Sequence, residues 1–155
     1  MLKGQATLDG RSVEVHPGET VLDAARRSGV FVPTLCHAQG LSPEGGCRLC
    51  LVETRPGGRL QAACHTPLAA GMEVRTATPA IEALRREVLG LILRAHPAAA
   101  SDGAFGALLK RYGLEVPPAV PAAVDKRHPY LRFDPARCIT CRLCQRACEE
   151  LRGQF

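Results

Sequence analysis

The chain has 155 residues, of which 46% are hydrophobic and six are aromatic, four Phe and two Tyr with no Trp. This length allows one domain of ordinary size or two small ones, with a core built mainly from aliphatic side chains. So few aromatic rings leave little to stack on single-stranded nucleic acid, and the formal net charge of +5 falls if cysteines bind metal as thiolates. We therefore expect no nucleic-acid partner and no polyanion partner.

The apolar runs and the cysteines indicate the compartment of the protein and whether it inserts into a membrane. No apolar run reaches membrane-spanning length, and the first residues lack the apolar segment of a signal peptide. We expect a cytoplasmic protein that does not insert into a membrane. In a reducing compartment, eight cysteines indicate metal binding or redox chemistry rather than disulfides.

The N-terminal segment has the pattern of a hairpin, a helix and a further strand. Apolar and polar residues alternate on both sides of Asp9-Gly10, which predicts two antiparallel strands. Thr20 is suited to cap a short helix that ends at Gly29. The apolar residues 30–32 predict a third strand.

A long irregular segment over residues 33–50 separates this unit from a second hairpin. It has no periodicity of its own, and such loops are usually functional. The stretches "LVET" and "LQAAC" flank the turn Pro56-Gly57-Gly58 and predict two strands, and "MEVRT" predicts one more. The pattern indicates an α+β fold in which a small sheet covers one helix.

A longer amphipathic helix and a connector follow. Thr78-Pro79 predicts the helix start, with Thr as the cap and Pro at the first helical position, and Pro97 predicts its end. Six apolar residues at helical spacing should pack on the sheet or on a neighbouring domain: Ile81, Leu84, Val88, Leu91, Ile92 and Ala95. Three charged residues should lie mostly on the other side: Glu82, Arg85 and Arg86. The Pro- and Ala-rich residues 116–129 predict a semi-rigid connector.

The first cysteine set lies in and after the irregular loop. Its members have ten, two and thirteen residues between them: Cys36, Cys47, Cys50 and Cys64. This spacing lacks the two close pairs of a structural zinc ribbon, although four thiolates suit zinc as well. A 2Fe–2S cluster fits better, because each iron needs two thiolates and Gly45 and Gly46 let backbone N–H groups approach the sulfurs. Plain packing of Cys36 and Cys64 as small apolar residues is the alternative.

The stretches "VPTLCH" and "GGCRLCLVE", with this cysteine spacing and strand order, resemble a known family. It is the ferredoxin domain at the front of large iron–sulfur subunits of NADH dehydrogenases, NAD-linked formate dehydrogenases and bidirectional or iron-only hydrogenases. The resemblance covers about residues 1–95 and implies a β-grasp 2Fe–2S domain in residues 1–78, with the helix of residues 79–96 packed on it. It also implies four cluster ligands: Cys36, Cys47, Cys50 and Cys64. Plant ferredoxins share the implied fold but place only four residues between their first two cysteines.

Members of this family often continue with a His-Pro motif whose histidine and three cysteines hold a 4Fe–4S cluster. This chain keeps His96-Pro97, but residues without thiols stand at the corresponding places: Ala100, Gly103 and Leu109. We expect no such cluster here, so that residues 97–130 become a connector. His96 is expected at a helix end, where the C-terminal dipole favours it.

The second cysteine set lies in the segment of residues 131–155. Its gaps of two, two and three residues are those of the bacterial ferredoxin run that binds a 4Fe–4S cluster: Cys138, Cys141, Cys144 and Cys148. In two-cluster ferredoxins the fourth cysteine of a run serves the other cluster. Either Cys148 completes this cluster itself, or the sequence is the front of a longer protein that resembles a formate dehydrogenase large subunit. The ending "ELRGQF", which has no recognisable stop or cap, favours the second possibility.

The sequence contains neither a catalytic array nor a nucleotide-binding fingerprint near the cysteines. We therefore expect an electron-transfer module without a catalytic site of its own. Its partners would be other oxidoreductase subunits or domains, one handling NADH or flavin and one handling formate, hydrogen or quinone. The alternative is a structural or redox-sensing protein in which zinc or a labile cluster holds the fold or senses redox state.

Overall fold

The predicted N-terminal hairpin is confirmed. Strands β1 (Gln5–Leu8) and β2 (Arg11–Glu14) pair antiparallel in the computed structural model, which describes residues 4–55, 57–101, 103–118 and 123–153. Asp9 and Gly10 have φ angles of 47° and 81°, as a type I′ turn requires. The Asp9 carboxylate accepts hydrogen bonds from the Thr76 amide at 2.7 Å and the Thr76 hydroxyl at 2.6 Å. This turn therefore fixes the chain beyond the last strand.

Five strands form one three-stranded and one two-stranded sheet. Strand β5 (Glu73–Val74) pairs parallel with β1, which gives the order β2-β1-β5. Strands β3 (Leu51–Glu53) and β4 (Leu60–Ala62) form the second predicted hairpin, whose turn residue Pro56 lies outside the described residues. A bridge between Glu53 and Arg75 joins the two sheets edge to edge.

Helix α1 (Val21–Arg27) packs the apolar side that the sequence predicts. Thr20 and Asp23 form a capping box at its start. At its end the Gly29 amide donates to Arg26 and the Val30 amide to Ala25, which is a Schellman closure. The core combines this helix with side chains from both sheets: Leu8, Val13, Val21, Leu22, Ala24, Ala25, Val52, Ala63 and Val74.

The prediction of a strand at residues 30–32 is wrong. The backbone there is irregular, because the Val30 amide is used to close helix α1. Val32 still packs in the core. An apolar run of three residues therefore indicated burial here and not a sheet partner.

Helix α2 (Pro79–Ala95) begins as predicted, with the Thr78 hydroxyl accepting from the Ile81 amide at 3.3 Å. Its predicted buried face is confirmed only in part, since Ile81 is buried and Leu84, Val88 and Ile92 are half-buried, whereas Leu91 and Ala95 are exposed. The residues that are buried recur at every fourth position: Ile81, Arg85, Leu89 and Leu93. Leu91, predicted to pack, is 58% exposed, and Arg85, predicted to lie on the other side, is 1% exposed.

Arg85 can be buried because main-chain carbonyls accept the hydrogen bonds that its guanidinium would otherwise donate to water. Its guanidinium donates to the carbonyls of Leu49 at 3.0 Å and Leu51 at 3.1 Å, and to the Glu82 carboxylate at 2.6 Å. Leu49 and Leu51 are the residues on either side of Cys50. Helix α2 therefore fixes the backbone around one of the cysteines.

The chain divides into two compact units, Met1–Arg85 with Arg142–Phe155, and Arg86–Cys141. The second unit contains helix α3 (Gly103–Arg111), which lies in the predicted connector and buries Phe105, Leu108 and Leu109. Short 3-10 turns occur at Pro97–Ser101 and Pro135–Arg137. Residues 119–122 of the predicted connector lie outside the described residues, and the predicted boundaries at 78, 96 and 130 stay predictions.

Helix α4 (Leu143–Arg152) carries Cys144 and Cys148 of the second cysteine run and belongs to the first unit. Gly153, in the left-handed conformation with φ 61°, ends it and donates to the carbonyls of Cys148 and Glu149. The expectation that the sequence end lacks a cap is therefore wrong, because Gly153 supplies one. Among the described residues, no helix combines the length and apolar character needed to cross a membrane.

Replacing Asp9 should destabilise the fold through Thr76, which is buried. Asp9→Ala removes both acceptors of the Thr76 amide and hydroxyl, and we expect a loss of about 1–3 kcal/mol in the free energy of unfolding. Asp9→Asn keeps an acceptor and a left-handed turn residue, so its loss should be smaller. Anaerobic urea unfolding followed by circular dichroism measures both; equal stability of Asp9→Ala and wild type would contradict the role of this contact.

Replacing Arg85 should also destabilise the protein. Arg85→Ala takes two charge-assisted donors away from the Leu49 and Leu51 carbonyls, for an expected loss of about 2–4 kcal/mol. The matched control is Arg86→Ala on the same helix, since exposed Arg86 also donates to carbonyls, those of Tyr112 and Gly113. Similar urea midpoints for the two variants would show that burial of Arg85 adds nothing.

Candidate metal centre

The structure brings the first cysteine set together. Cys36 is 2% exposed and Cys50 and Cys64 are each 1% exposed, whereas Cys47 is half-buried. The sulfurs of Cys50 and Cys64 lie 3.5 Å apart, and the Cys47 amide donates to the Cys36 sulfur at 3.3 Å. The second hairpin is responsible for one of these approaches, because the Ala63 amide donates to the Cys50 carbonyl at 2.9 Å.

Helix α1 fixes the chain on both sides of Cys64. Its first backbone N–H groups have no partners within the helix, as at every helix start. The Val21 amide donates to the Thr66 carbonyl at 2.9 Å and the Leu22 amide to the Ala63 carbonyl at 3.0 Å. The fourth cysteine is therefore held by the same helix that fills the core.

The four thiols act as two hydrogen-bonded pairs. A hydrogen bond from Cys36 lowers the pKa of Cys47 to about 6, and the same bond together with burial raises the pKa of Cys36. A hydrogen bond from Cys64 lowers the pKa of Cys50 to about 7, and that bond with burial raises the pKa of Cys64. Each pair thus contains one thiol whose pKa is lowered and one whose pKa is raised, whereas metal ligation requires all four as thiolates.

The two glycines before Cys47 face the sulfurs through their backbone. Backbone hydrogen bonding from Gly46 opposes the raised pKa of Cys36, and that from Gly45 opposes the raised pKa of Cys64. Gly45 has a φ of +66°, which side chains rarely adopt, whereas Gly46 has an ordinary φ and room for a Cβ atom. Gly45 is therefore required by backbone conformation, and Gly46 contributes its amide.

A cleft of about 490 Å³ opens beside this cysteine set and is lined in part by Cys64. Its polar wall carries Asp23, Arg26 and His37. The Arg26 guanidinium lies 3.1 Å from His37 Nδ1, and burial followed by the charge of Arg26 lowers the pKa of His37. The cleft gives one side of the site a polar approach.

Two residues that sequence reasoning missed hold the cysteine loops. Arg85, described above, binds the backbone around Cys50, and Arg146 of α4 donates to the backbone carbonyl of Cys36. The sequence does contain a signal for Arg85, because it stands in a series of residues four positions apart that are otherwise apolar. Nothing in the spacing of the second cysteine run indicates Arg146, because its partners lie about a hundred residues earlier.

The second cysteine set is less enclosed. Cys138 and Cys141 are half-buried, and Cys144 and Cys148 are exposed. The Thr140 amide donates to the Cys138 sulfur at 3.4 Å, and Cys144 and Cys148 are one turn apart on α4. Across the part of the chain that the structure describes, no three His, Cys, Asp or Glu side chains are grouped closely enough to hold a single metal ion.

Comparison with known proteins relates this geometry to a family. Residues 5–79 match the family model of a 2Fe–2S iron–sulfur cluster binding domain. An NADH-quinone oxidoreductase subunit of Rhizobium meliloti is 38% identical, over 96% of this chain and 19% of its own length. The NADPH-Fe(3+) oxidoreductase subunit alpha of Geobacter sulfurreducens is 33% identical, over 95% of this chain and 19% of its own.

A mitochondrial relative and a solved structure extend the comparison. The NADH dehydrogenase iron–sulfur protein 1 of Solanum tuberosum is 32% identical, over 94% of this chain and 21% of its own. The crystal structure of an NAD+-reducing NiFe-hydrogenase in the H2-reduced state matches with a TM-score of 0.82 and 32% identity. That match covers 97% of this chain and 68% of the hydrogenase chain.

The chain spans about a fifth of the length of these curated relatives, 19% to 21%. The family that the sequence motifs resemble is confirmed, and so is a 2Fe–2S ferredoxin-type domain in a small mixed α/β fold. The chain therefore belongs to the family of iron–sulfur subunits of NADH dehydrogenases and NAD-reducing hydrogenases, and it contains their 2Fe–2S cluster-binding domain.

Proposed function

We propose that this chain is an electron-transfer module whose 2Fe–2S cluster is held by the first cysteine set. The observation that carries the proposal is the arrangement of four sulfurs as two pairs within one largely buried site: Cys36 with Cys47, and Cys50 with Cys64. A 2Fe–2S cluster has two irons that each take two thiolates, and it accepts and releases one electron. The chemistry and pairing of these donors fit that cluster.

The protein around the sulfurs supplies what such a centre needs. Burial of three of the four cysteines keeps water away from the thiolates, and backbone N–H groups near the sulfurs stabilise their negative charge. Gly45 and Gly46 belong to this role, since hydrogen bonding from their backbone acts on Cys64 and Cys36. We assign both glycines to cluster binding through their amides.

The fold of the domain is proposed to be a β-grasp. Three features support this: an opening hairpin, a helix that packs on it, and a last strand that pairs parallel with the first. The strand order β2-β1-β5 places the opening strand between its partners. The hairpin β3–β4 is joined to this sheet, and it has Cys50 directly before its first strand and Cys64 just after its second.

The second cysteine run is proposed to bind a 4Fe–4S cluster. Support comes from its spacing, which is that of bacterial ferredoxins, and from the left-handed backbone at Thr140 and Arg142, which turns the chain sharply between the cysteines. Cys138, Cys141 and Cys144 would take three corners of the cluster. Cys148 is the proposed fourth ligand unless another segment supplies it.

The proposed partners are other subunits or domains of a cytoplasmic oxidoreductase. One electron at a time would enter from a partner that handles NADH or flavin and leave towards one that handles formate, hydrogen or quinone, or pass in reverse. The names of relatives support the class of partner: NADH-quinone oxidoreductase, NADPH-Fe(3+) oxidoreductase and NAD+-reducing hydrogenase. The match to a 2Fe–2S domain disfavours the zinc-binding or redox-sensing alternative.

Removing one thiolate of the first set should abolish one centre and leave the other. In Cys47→Ser, the reduced protein should lose the 2Fe–2S signal in electron paramagnetic resonance and keep any 4Fe–4S signal, because the two ligand sets are separate. Cys138→Ser is the matched control and should show the reverse. Loss of both signals from a folded Cys47→Ser protein would contradict independent sites.

Iron and sulfide counts should reveal whether Cys148 completes the second cluster. If another segment supplies the fourth ligand, the 155-residue chain purified anaerobically should hold a full 2Fe–2S centre and a substoichiometric or three-iron second centre, and Cys148→Ser should change little. A full four-iron cluster that is lost in Cys148→Ser would instead make Cys148 the fourth ligand. Cys144→Ser serves as the control that should lose the second centre in either case.

A further inference from the structure

The side chain of Arg146 is buried against the loop that carries the first cysteine. It lies on α4 midway between Cys144 and Cys148, is 5% exposed, and donates to the backbone carbonyls of Cys36 and Ser42. A guanidinium that donates to two carbonyls instead of to water is held in one position, because its donors lie in a plane and fit few arrangements of acceptors. Arg146 therefore ties the backbone of Cys36 to a residue inside the second cysteine run.

Two further contacts join the same helix and loop. The Ser42 amide donates to the Glu150 carboxylate at 2.6 Å, and Arg142 forms a hydrogen-bonded ion pair with Glu44. Arg146 Nε lies 3.5 Å from the Glu44 carboxylate and forms no hydrogen bond within the described residues. We call this set of contacts the α4 clasp: Arg142, Arg146 and Glu150 on the helix, and Cys36, Ser42 and Glu44 on the loop.

The charges of the clasp bear on any anionic centre at Cys36. Arg146 places a buried positive charge on the carbonyl of a proposed ligand, the Glu44 carboxylate lies 3.5 Å from Arg146 Nε, and the Glu150 carboxylate accepts from the Ser42 amide. Reduction adds one negative charge to a 2Fe–2S cluster, and a buried cation stabilises added negative charge more than an exposed one does. Removing Arg146 also leaves Glu44 less compensated, which acts in the same direction.

We propose that Arg146 is a positioning residue for the 2Fe–2S centre. It holds the Cys36 loop in the ligating conformation and raises the reduction potential of the centre. The α4 clasp also links the two cysteine sets, since the residue that holds the first is part of the second. This inference rests on the proposed ligation of the cluster by Cys36.

The test compares Arg146→Gln, Arg146→Lys and a control, Arg11→Gln, which removes one positive charge from the exposed β-hairpin. Redox titration followed by electron paramagnetic resonance gives the potential of the 2Fe–2S centre, and hydrogen exchange gives the protection of residues 36–47. We expect the reduction equilibrium constant to fall about three- to tenfold in Arg146→Gln, where tenfold corresponds to about 59 mV for one electron. Arg11→Gln should leave both measurements unchanged.

Arg146→Lys separates charge from geometry. Lysine keeps the charge but lacks the planar fork, so the potential should stay close to wild type while hydrogen exchange in the loop rises. Raised exchange in both variants with an unmoved potential would show a purely structural role and would overturn the proposed effect on the potential. Loss of the 2Fe–2S signal from Arg146→Gln, with retention in Arg146→Lys, also supports the proposal.

An unchanged potential and unchanged exchange in Arg146→Gln, with a full 2Fe–2S signal, would overturn the inference. Failure of the underlying ligation is recognised differently. In that case the wild-type protein lacks the signal, or Cys36→Ser keeps it, whatever the Arg146 variants show. The two failures are therefore distinguishable in one set of samples.

Discussion

The cysteine-bearing loops depend on two buried guanidinium groups. Loops without regular structure have carbonyls that no strand or helix pairs, and buried carbonyls need donors. Arg85 donates to the backbone on both sides of Cys50, and Arg146 donates to the backbone of Cys36. Each guanidinium comes from a helix, so rigid elements fix irregular segments. Together with the second hairpin and helix α1, which hold Cys50 and Cys64, these contacts position the sulfurs.

Local chemistry made the first half of the fold predictable. The Asp9-Gly10 turn, the Thr20 cap and the second hairpin are each determined by residues a few positions apart, and all three are present. The strand expected at residues 30–32 was wrong because the Val30 amide closes a helix instead. The buried face of α2 was predicted only in part, because Leu89 and Leu93 were left out of the apolar stripe and the charge of Arg85 placed it on the other side. Arg85 is buried despite its charge, because the carbonyls of Leu49 and Leu51 accept its hydrogen bonds.

The first cysteine set could be recognised from the sequence, whereas the residues that support its loops could not. Cysteine spacing reflects cluster chemistry, so the first set could be recognised from the sequence and its sulfurs do come together. The supporting residues depend on contacts across the whole unit, which no local pattern records. Arg146 is the extreme case, since its partners Cys36 and Ser42 are 110 and 104 positions away. Gly153 was overlooked for a simpler reason, because a single glycine near a sequence end is easily taken for a loop residue.

The sequence separation of the α4 clasp has a consequence for biosynthesis. Chains emerge from the ribosome from the N-terminus, so residues 36–47 are made about a hundred residues before Arg146. Throughout that interval the carbonyls of Cys36 and Ser42 lack the Arg146 donors, and the loop lacks its contacts with α4. Delivery of iron and sulfide to the first cysteine set is therefore least obstructed before α4 has been made and has folded. Folding of α4 then supplies the Arg146 donors, so synthesis of this helix is the step that fixes the backbone of the Cys36 loop.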